Sequence, residues 1–209
     1  MARRSAPEVN AGSMVDIAFL LLIFFLVTTT IEKDKGIVRK LPPKQDEKIP
    51  PPPLKEKNIF IVNVNKDNQL LVEDNLMDPK DLRQAAIDFL DNGGASAGSP
   101  GHCDYCKGDR LPDSSDNPNI AVISVRNDRL TSYETYIKVQ NELVAAYNFL
   151  RNRESQRLYG WKFTEKKAEI AEGKIKGNSA KEALKEKFKV IQDLFPLNLS
   201  EAEPKRSDQ

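Results

Sequence analysis

Two places in this 209-residue sequence hold residues with chemistry to offer. The first is Asp16, the single charge in the run MVDIAFLLLIFFLVTTTI at residues 14–31. A carboxylate inside so apolar a run is costly in hydrocarbon and by default marks a functional residue. A structural role competes with it. Ser13-Met14-Val15-Asp16 is an S-x-x-D pattern, whose side chains could cap backbone N–H groups at a helix start.

The second place is His102-Cys103-Asp104-Tyr105-Cys106, with the only histidine and both cysteines of the chain. A Cys103–Cys106 disulfide clamping a long loop is the plainest reading in an oxidising compartment. A C-x-x-C redox centre needs a strand-to-helix setting that activates one thiol, whereas this pair lies in a Gly/Ser-rich stretch. A zinc site would find at most three ligands, crowded into one pentapeptide. With a single histidine, no Ser-His-Asp or Cys-His-Asn triad has a better candidate. No glycine-rich phosphate loop follows a strand either. No catalytic residue, metal or cofactor is expected, and the chain does not read as an enzyme.

Composition narrows the partners. Lys and Arg number 32 against 31 Asp and Glu, a net charge of +1. A general nucleic-acid binder needs a basic excess to neutralise phosphates, so nucleic acid is excluded. The average is polar, but the apolar residues are concentrated in one place.

That place must position Asp16. Eighteen helical residues reach ~27 Å, and a hydrocarbon core needs ~30 Å. Including Ala11, Gly12 and Ser13 closes the gap and gives a transmembrane helix over 11–31. A signal peptide would have a shorter apolar core and a small-residue cleavage site; Thr28-Thr29-Thr30-Ile31-Glu32-Lys33 supplies none. Asp16 then sits ~7.5 Å inside the span. Leu20, Ile23, Val27 and Thr30 share its side of the helix, so a partner for the carboxylate must come from another helix. Thr28, Thr29 and Thr30 more often bond back to their own helix than line a path. Arg3 and Arg4 precede the span, while Lys33, Lys35, Arg39, Lys40 and Lys44 follow it, and charge leaves the orientation open.

Residues 32–57 form a proline-rich linker. Pro42, Pro43 and Pro50 to Pro53 favour extended polyproline II, a spacer of up to ~37 Å from Pro42 to Pro53. Ile37, Val38 and Leu41 could pack there as a short strand.

A small α+β module follows over 58–154, in the order ββαβα. Residues 59–64 and 69–72 make a hairpin. Asp78-Pro79 reads as N-cap and first turn of a helix bearing Leu82, Ala85, Ala86, Phe89 and Leu90, stopped by Gly93-Gly94. Residues 92–119 are a polar loop insertion, and 120–125 a buried strand. Thr131 and Glu134 form a capping box, opening a helix whose face carries Tyr133, Ile137, Gln140, Val144 and Tyr147, with Tyr136, Leu143 and Leu150 beside it. Residues 155–200 are a charged helical extension. There Ser179 and Glu182 make a second capping box, and Leu184, Phe188, Ile191 and Phe195 fall on one stripe that docks on the chain's own module. Residues 195–200 could supply a final strand, and 201–209 read as a disordered tail.

The stretch from Glu8-Val9-Asn10-Ala11-Gly12-Ser13-Met14-Val15-Asp16 through Leu20-Leu21-Leu22-Ile23-Phe24-Phe25 closely resembles the transmembrane segment of ExbD/TolR biopolymer-transport proteins. An aspartate near the start of a Leu/Phe-rich span is their signature, and the linker and α+β module match their layout. The chain is longer than the short family members from residue 151 onward. The resemblance implies a cytoplasmic tail at 1–10 and a periplasmic module, which favours the Cys103–Cys106 disulfide. It implies a homodimer with its spans inside an inner-membrane ring of ExbB/TolQ-type subunits, Asp16 as the proton-carrying residue, and a TonB-type partner whose action energises outer-membrane uptake. A TolR- or MotB-like tethered module serving envelope integrity or cell-wall anchoring is the alternative. A tethered thiol oxidoreductase is a third reading.

Overall fold

The computed structural model describes residues 11–28, 55–175 and 177–202. The chain divides into two units, residues 1–41 and 42–209. The expected cytoplasmic tail, the last three residues of the expected span, the linker up to residue 54 and residues 203–209 of the expected tail lie outside the described residues.

In the first unit a single helix, α1, runs over Ala11–Thr28. It is apolar on all sides, and its described side chains are all exposed. Because α1 has begun by Ala11, Ser13 lies within it and no acidic residue occupies its first turn. Among the described residues no helix is long and apolar enough to cross a membrane.

The second unit is an α+β sandwich on a five-stranded mixed sheet. Strand β1 (Ile59–Val64) follows a short 3-10 turn at Glu56–Asn58. Strict alternation puts Phe60, Val62 and Val64 into the core. Asn65 folds the chain back by accepting from the Asp67 and Gln69 amides at 3.0 and 2.8 Å. Strand β2 (Leu70–Val72) then pairs antiparallel with β1.

The hairpin does not end there, as expected, but gains a third strand, β3 (Asn75–Met77). The turn between them uses Glu73 and Asp74 at φ 47° and 63°. Such a two-residue turn ordinarily announces itself with Asn-Gly or Gly-Gly; Glu-Asp gives no such signal. Instead the Glu73 carboxylate accepts from the Ile61 amide at 2.7 Å and holds the turn against β1.

Helix α2 (Leu82–Asp91) starts later than the sequence suggested. Asp78 and Asp81 close a turn by a 2.9 Å backbone bond, with the Asp78 carboxylate accepting from the Lys80 amide. Proline suits the second position of a turn as well as the first turn of a helix, since both need φ near −65°. Strand β4 (Val122–Asn127) lies parallel to β1. It is displaced by two residues from the expected strand and alternates: Ile123 and Val125 are buried, their neighbours only partly.

Helix α3 (Tyr133–Tyr159) is capped by Ser132, whose hydroxyl accepts from the Thr135 amide. The expected Thr131–Glu134 box is absent. The Thr131 hydroxyl instead donates to the Asn65 carbonyl at 3.0 Å, and Glu134 pairs with Lys138 one turn on. The face that meets the sheet carries Val139, Leu143, Ala146, Tyr147 and Leu150. Of the expected face only Gln140 and Tyr147 are buried, and Tyr133 is 77% exposed. Two apolar stripes lie side by side on this helix, and periodicity does not say which one meets the sheet.

Helix α3 continues unbroken through residues 154 and 155 and stops at Gly160, whose φ of 74° suits glycine. Helices α4 (Phe163–Ala171) and α5 (Asn178–Leu194) follow. Gly177, at φ 94° and without a side chain, precedes α5, so the expected Ser179–Glu182 box is not formed. The Leu184–Phe188–Ile191 stripe packs with Phe163, Tyr159 and Trp161 in a small second core. Phe195 leaves that stripe for the main core, and strand β5 (Leu199–Glu201) adds parallel to β4. The sheet order is β3-β2-β1-β4-β5.

Candidate functional site

In the first unit the candidate is Asp16. It lies more than one turn past the start of α1, with Ile17, Phe19 and the residues from Leu20 to Leu26 all exposed around the helix. That much bare apolar surface needs a cover, whether lipid or other helices.

In the second unit the candidates come together in the long loop. Asn92, just past α2, is buried and grips the loop's far end. Its amide nitrogen donates to the Leu111 and Ser115 carbonyls at 2.9 and 2.8 Å, and its oxygen accepts from the Leu111 amide at 2.9 Å. Gly93 adopts φ 63°, and a Cβ there would lie 2.7 Å from the Cys106 Cβ. The loop can close on α2 only because this residue has no side chain.

Cys103 and Cys106 are bonded to each other and buried. His102 turns elsewhere, one ring nitrogen 3.2 Å from the Ala95 carbonyl and the other 3.4 Å from Asp104. Among the described residues no three side chains group to hold a metal ion. The bond closes a ring of only four residues, for which chain entropy gives ~2 kcal/mol. Replacing Cys103 and Cys106 by Ser together is therefore expected to lower unfolding free energy by about that much and to leave function intact. Urea unfolding of the double variant, alongside its activity in cells, measures both. Lost activity in a still-folded variant would favour the thiol oxidoreductase reading.

The tip of the disulfide ring is Tyr105, which ties the loop to the C-terminal extension. Its hydroxyl donates to the Leu194 carbonyl at 2.7 Å, and its ring meets Phe195 edge-on at 5.4 Å. Burial, with the Glu154 and Asp91 carboxylates nearby, pushes the Tyr105 pKa up to about 12, so it remains a hydrogen-bond donor. Phe195 is held from its other side as well. Arg151 donates to its carbonyl from Nε and Nη2 at 2.9 and 2.7 Å. Arg153 forks onto Asp91 of α2 and also reaches Glu154, which is fully buried and takes a second bond from Arg157 at 2.6 Å.

At the loop's other end Asp116 is buried against Lys57 at 2.6 Å and Lys55 at 3.5 Å. Burial alone would raise its pKa. The hydrogen bonds from Lys57 and Asn58 and the charges of both lysines outweigh that and lower it. These carboxylates and guanidinium groups answer one another and fix surfaces in place.

None of Asn92, Arg151, Arg153, Glu154 or Phe195 stands out in the sequence as a junction. Arg151-Asn152-Arg153-Glu154 reads as a solvated charged face. The one available signal is that Phe195 ends the apolar stripe of α5 just before a proline. Cys103 and Cys106, singled out by type, do meet; His102 does not join them.

Comparison with known families gives one clear correspondence. The profile of the family described as biopolymer transport protein ExbD/TolR matches residues 2–151. Among curated proteins none matches the chain. The matched stretch takes in α1, strands β1 to β4 and most of α3, while α4, α5 and β5 lie beyond it. An apolar N-terminal helix with one aspartate, followed by this mixed α+β module, is the layout those residues encode. The chain belongs to the ExbD/TolR family of biopolymer transport proteins.

Proposed function

We propose that this chain is the proton-driven energy-transducing subunit of an inner-membrane complex of the ExbB–ExbD–TonB kind, which powers outer-membrane nutrient uptake. The observation that carries the proposal is the single carboxylate of α1, in a family of biopolymer transport proteins. Asp16 sits beyond the first turn of α1, where backbone N–H groups have intrahelical partners, which supports a role other than capping.

In this reading residues 11–31 cross the inner membrane with residues 1–10 in the cytoplasm, and the α+β module stands in the periplasm. The Cys103–Cys106 bond supports that side, because disulfides persist in oxidising compartments. Two copies place their helices inside a ring of ExbB/TolQ-type subunits, which covers the apolar surface of α1. Asp16 takes up a proton there and releases it toward the cytoplasm. A charge crossing the full field gains ~2.3 kcal/mol per 100 mV, the driving term for the motion. Protonation removes the charge and changes which polar group of the ring the side chain prefers. Repeated exchange turns or shears ring against helix, and the proline-rich linker passes the motion to the module and a TonB-type partner.

Affinity purification of the full chain from membranes in mild detergent tests the assignment. Ring-type subunits together with a TonB-type protein are expected. Ring-type subunits with Pal or peptidoglycan, and no TonB-type protein, would assign the chain to a TolR- or MotB-like role instead.

A further inference from the structure

The module carries a cleft that nothing above uses. It is about 630 Å³, between the start of β1, helix α2, the middle of α3 and the loop at residues 107–114. That size lies within the ~300–1,000 Å³ of ordinary ligand sites. Its floor is apolar, with Phe60 and Phe89 packed against each other at 5.0 Å. Two large apolar side chains on its walls, Phe149 and Leu111, are each 54% exposed. A single exposed leucine or phenylalanine means little, but two facing one concavity offer a seat for an apolar group.

The rim is acidic. Of the charged residues lining the cleft six are Asp or Glu and three are Lys or Arg. Two of those three cations are already engaged: Lys57 with Asp116 and the Pro112 carbonyl, Arg153 with Asp91 and Glu154. Glu56, Asp109 and Asp113 are exposed, and among the described residues Lys107 is the one cation lining the cleft that makes no ion pair. The chain as a whole is balanced at +1, so this excess is local.

The acidic wall is also held in place. Asn92 fixes both ends of the segment from Leu111 to Ser115. Gly108 packs so closely that a Cβ would lie 2.7 Å from the Asp91 carbonyl oxygen. A wall fixed before binding loses little freedom on binding, which raises affinity for whatever fits.

We infer that this cleft is a docking site for an extended segment of a partner protein in which an aromatic or aliphatic side chain is flanked by Lys or Arg. The apolar side chain lies between Phe149 and Leu111 over the Phe60–Phe89 floor. The flanking cations meet Glu56 on one side and Asp109 and Asp113 on the other. The inference is independent of the role of Asp16.

The test uses the full chain in uncharged maltoside micelles with two fluorescein-labelled decapeptides, one alternating Lys and Leu, the other Glu and Leu. Fluorescence anisotropy should report binding of the Lys–Leu peptide, weakened by added salt because exposed charges are screened. The Glu–Leu peptide should not bind. Asp109→Asn with Asp113→Asn should weaken binding about tenfold, and Phe149→Ala about tenfold, as for a central anchor residue. All three side chains are exposed, so folding is not at stake. No binding of the Lys–Leu peptide, equal binding of both peptides, or indifference to all the substitutions would overturn the site. Displacement of the Lys–Leu peptide by spermine as readily as by unlabelled peptide would overturn the peptide assignment, since the apolar floor would then play no part.

Discussion

Replacing Asp16 by Asn should leave the chain in the membrane and in its complex while energised uptake falls to the level of cells lacking the protein. Asparagine has nearly the same volume and a similar helix propensity, so α1 keeps its shape. It carries no charge, and removing a carboxylate from a span relieves an insertion cost that reaches ~2.5–3.5 kcal/mol at the centre of a helix. Insertion and assembly are therefore expected to be at least as good as in the parent chain. Under the proposed mechanism only proton exchange is removed. Asp16→Glu keeps the carboxyl on a longer stem and should retain part of the activity. Uptake of a metal chelate, with co-purification of the ring subunits as the control, reads both effects. Full uptake by the Asn variant would end the proton-carrying role.

Replacing Phe195 by Ala should destabilise the module by ~3–5 kcal/mol, the usual cost of emptying a buried phenylalanine site. Phe195 is fully buried, and its backbone carbonyl accepts both bonds from Arg151. Its ring contacts Tyr105 of the disulfide ring and Arg153 of α3. One side chain thus joins the loop, the long helix and the C-terminal segment. Beyond the global loss, strand β5 should detach first, because the edge pairing of Leu199–Glu201 with β4 begins only four residues later. Urea unfolding gives the free energy. Hydrogen exchange at Ala202, whose amide bonds to the Val125 carbonyl at 3.1 Å, reports the strand. Leu184→Ala is the comparison: Leu184 is only partly buried in the second core and should cost far less.

What could be read from the sequence follows from what kind of signal each feature sends. The hairpin, α2's buried face, a strand before the long helix and the stripe of α5 all announce themselves by periodicity, and they are in the structure. Positions that depend on tertiary choice do not. Pro79 fits a turn and a helix start equally. Thr131 and Ser132 could each cap α3, and a bond from Thr131 to Asn65 decides between them. The Glu73-Asp74 turn adopts positive φ without glycine, so β3 is invisible until its partner strand is known. At the candidate sites, residue type picked out Asp16, Cys103 and Cys106. The Arg151, Arg153 and Glu154 network was hidden because a charged helical stretch looks the same solvated or buried. Its partners, Asp91 and the carbonyl of Phe195, are more than forty residues away in the chain.

The central claim is that Asp16 exchanges a proton during the working cycle. Difference infrared spectroscopy tests it on the full complex, reconstituted in vesicles with isotope-labelled aspartate and a proton gradient imposed and then collapsed. A protonated-carboxyl band that changes with the gradient, and that is missing in the Asp16→Asn complex, is the predicted result. A carboxyl signal indifferent to the gradient, or one that survives in the Asp16→Asn complex, would contradict it.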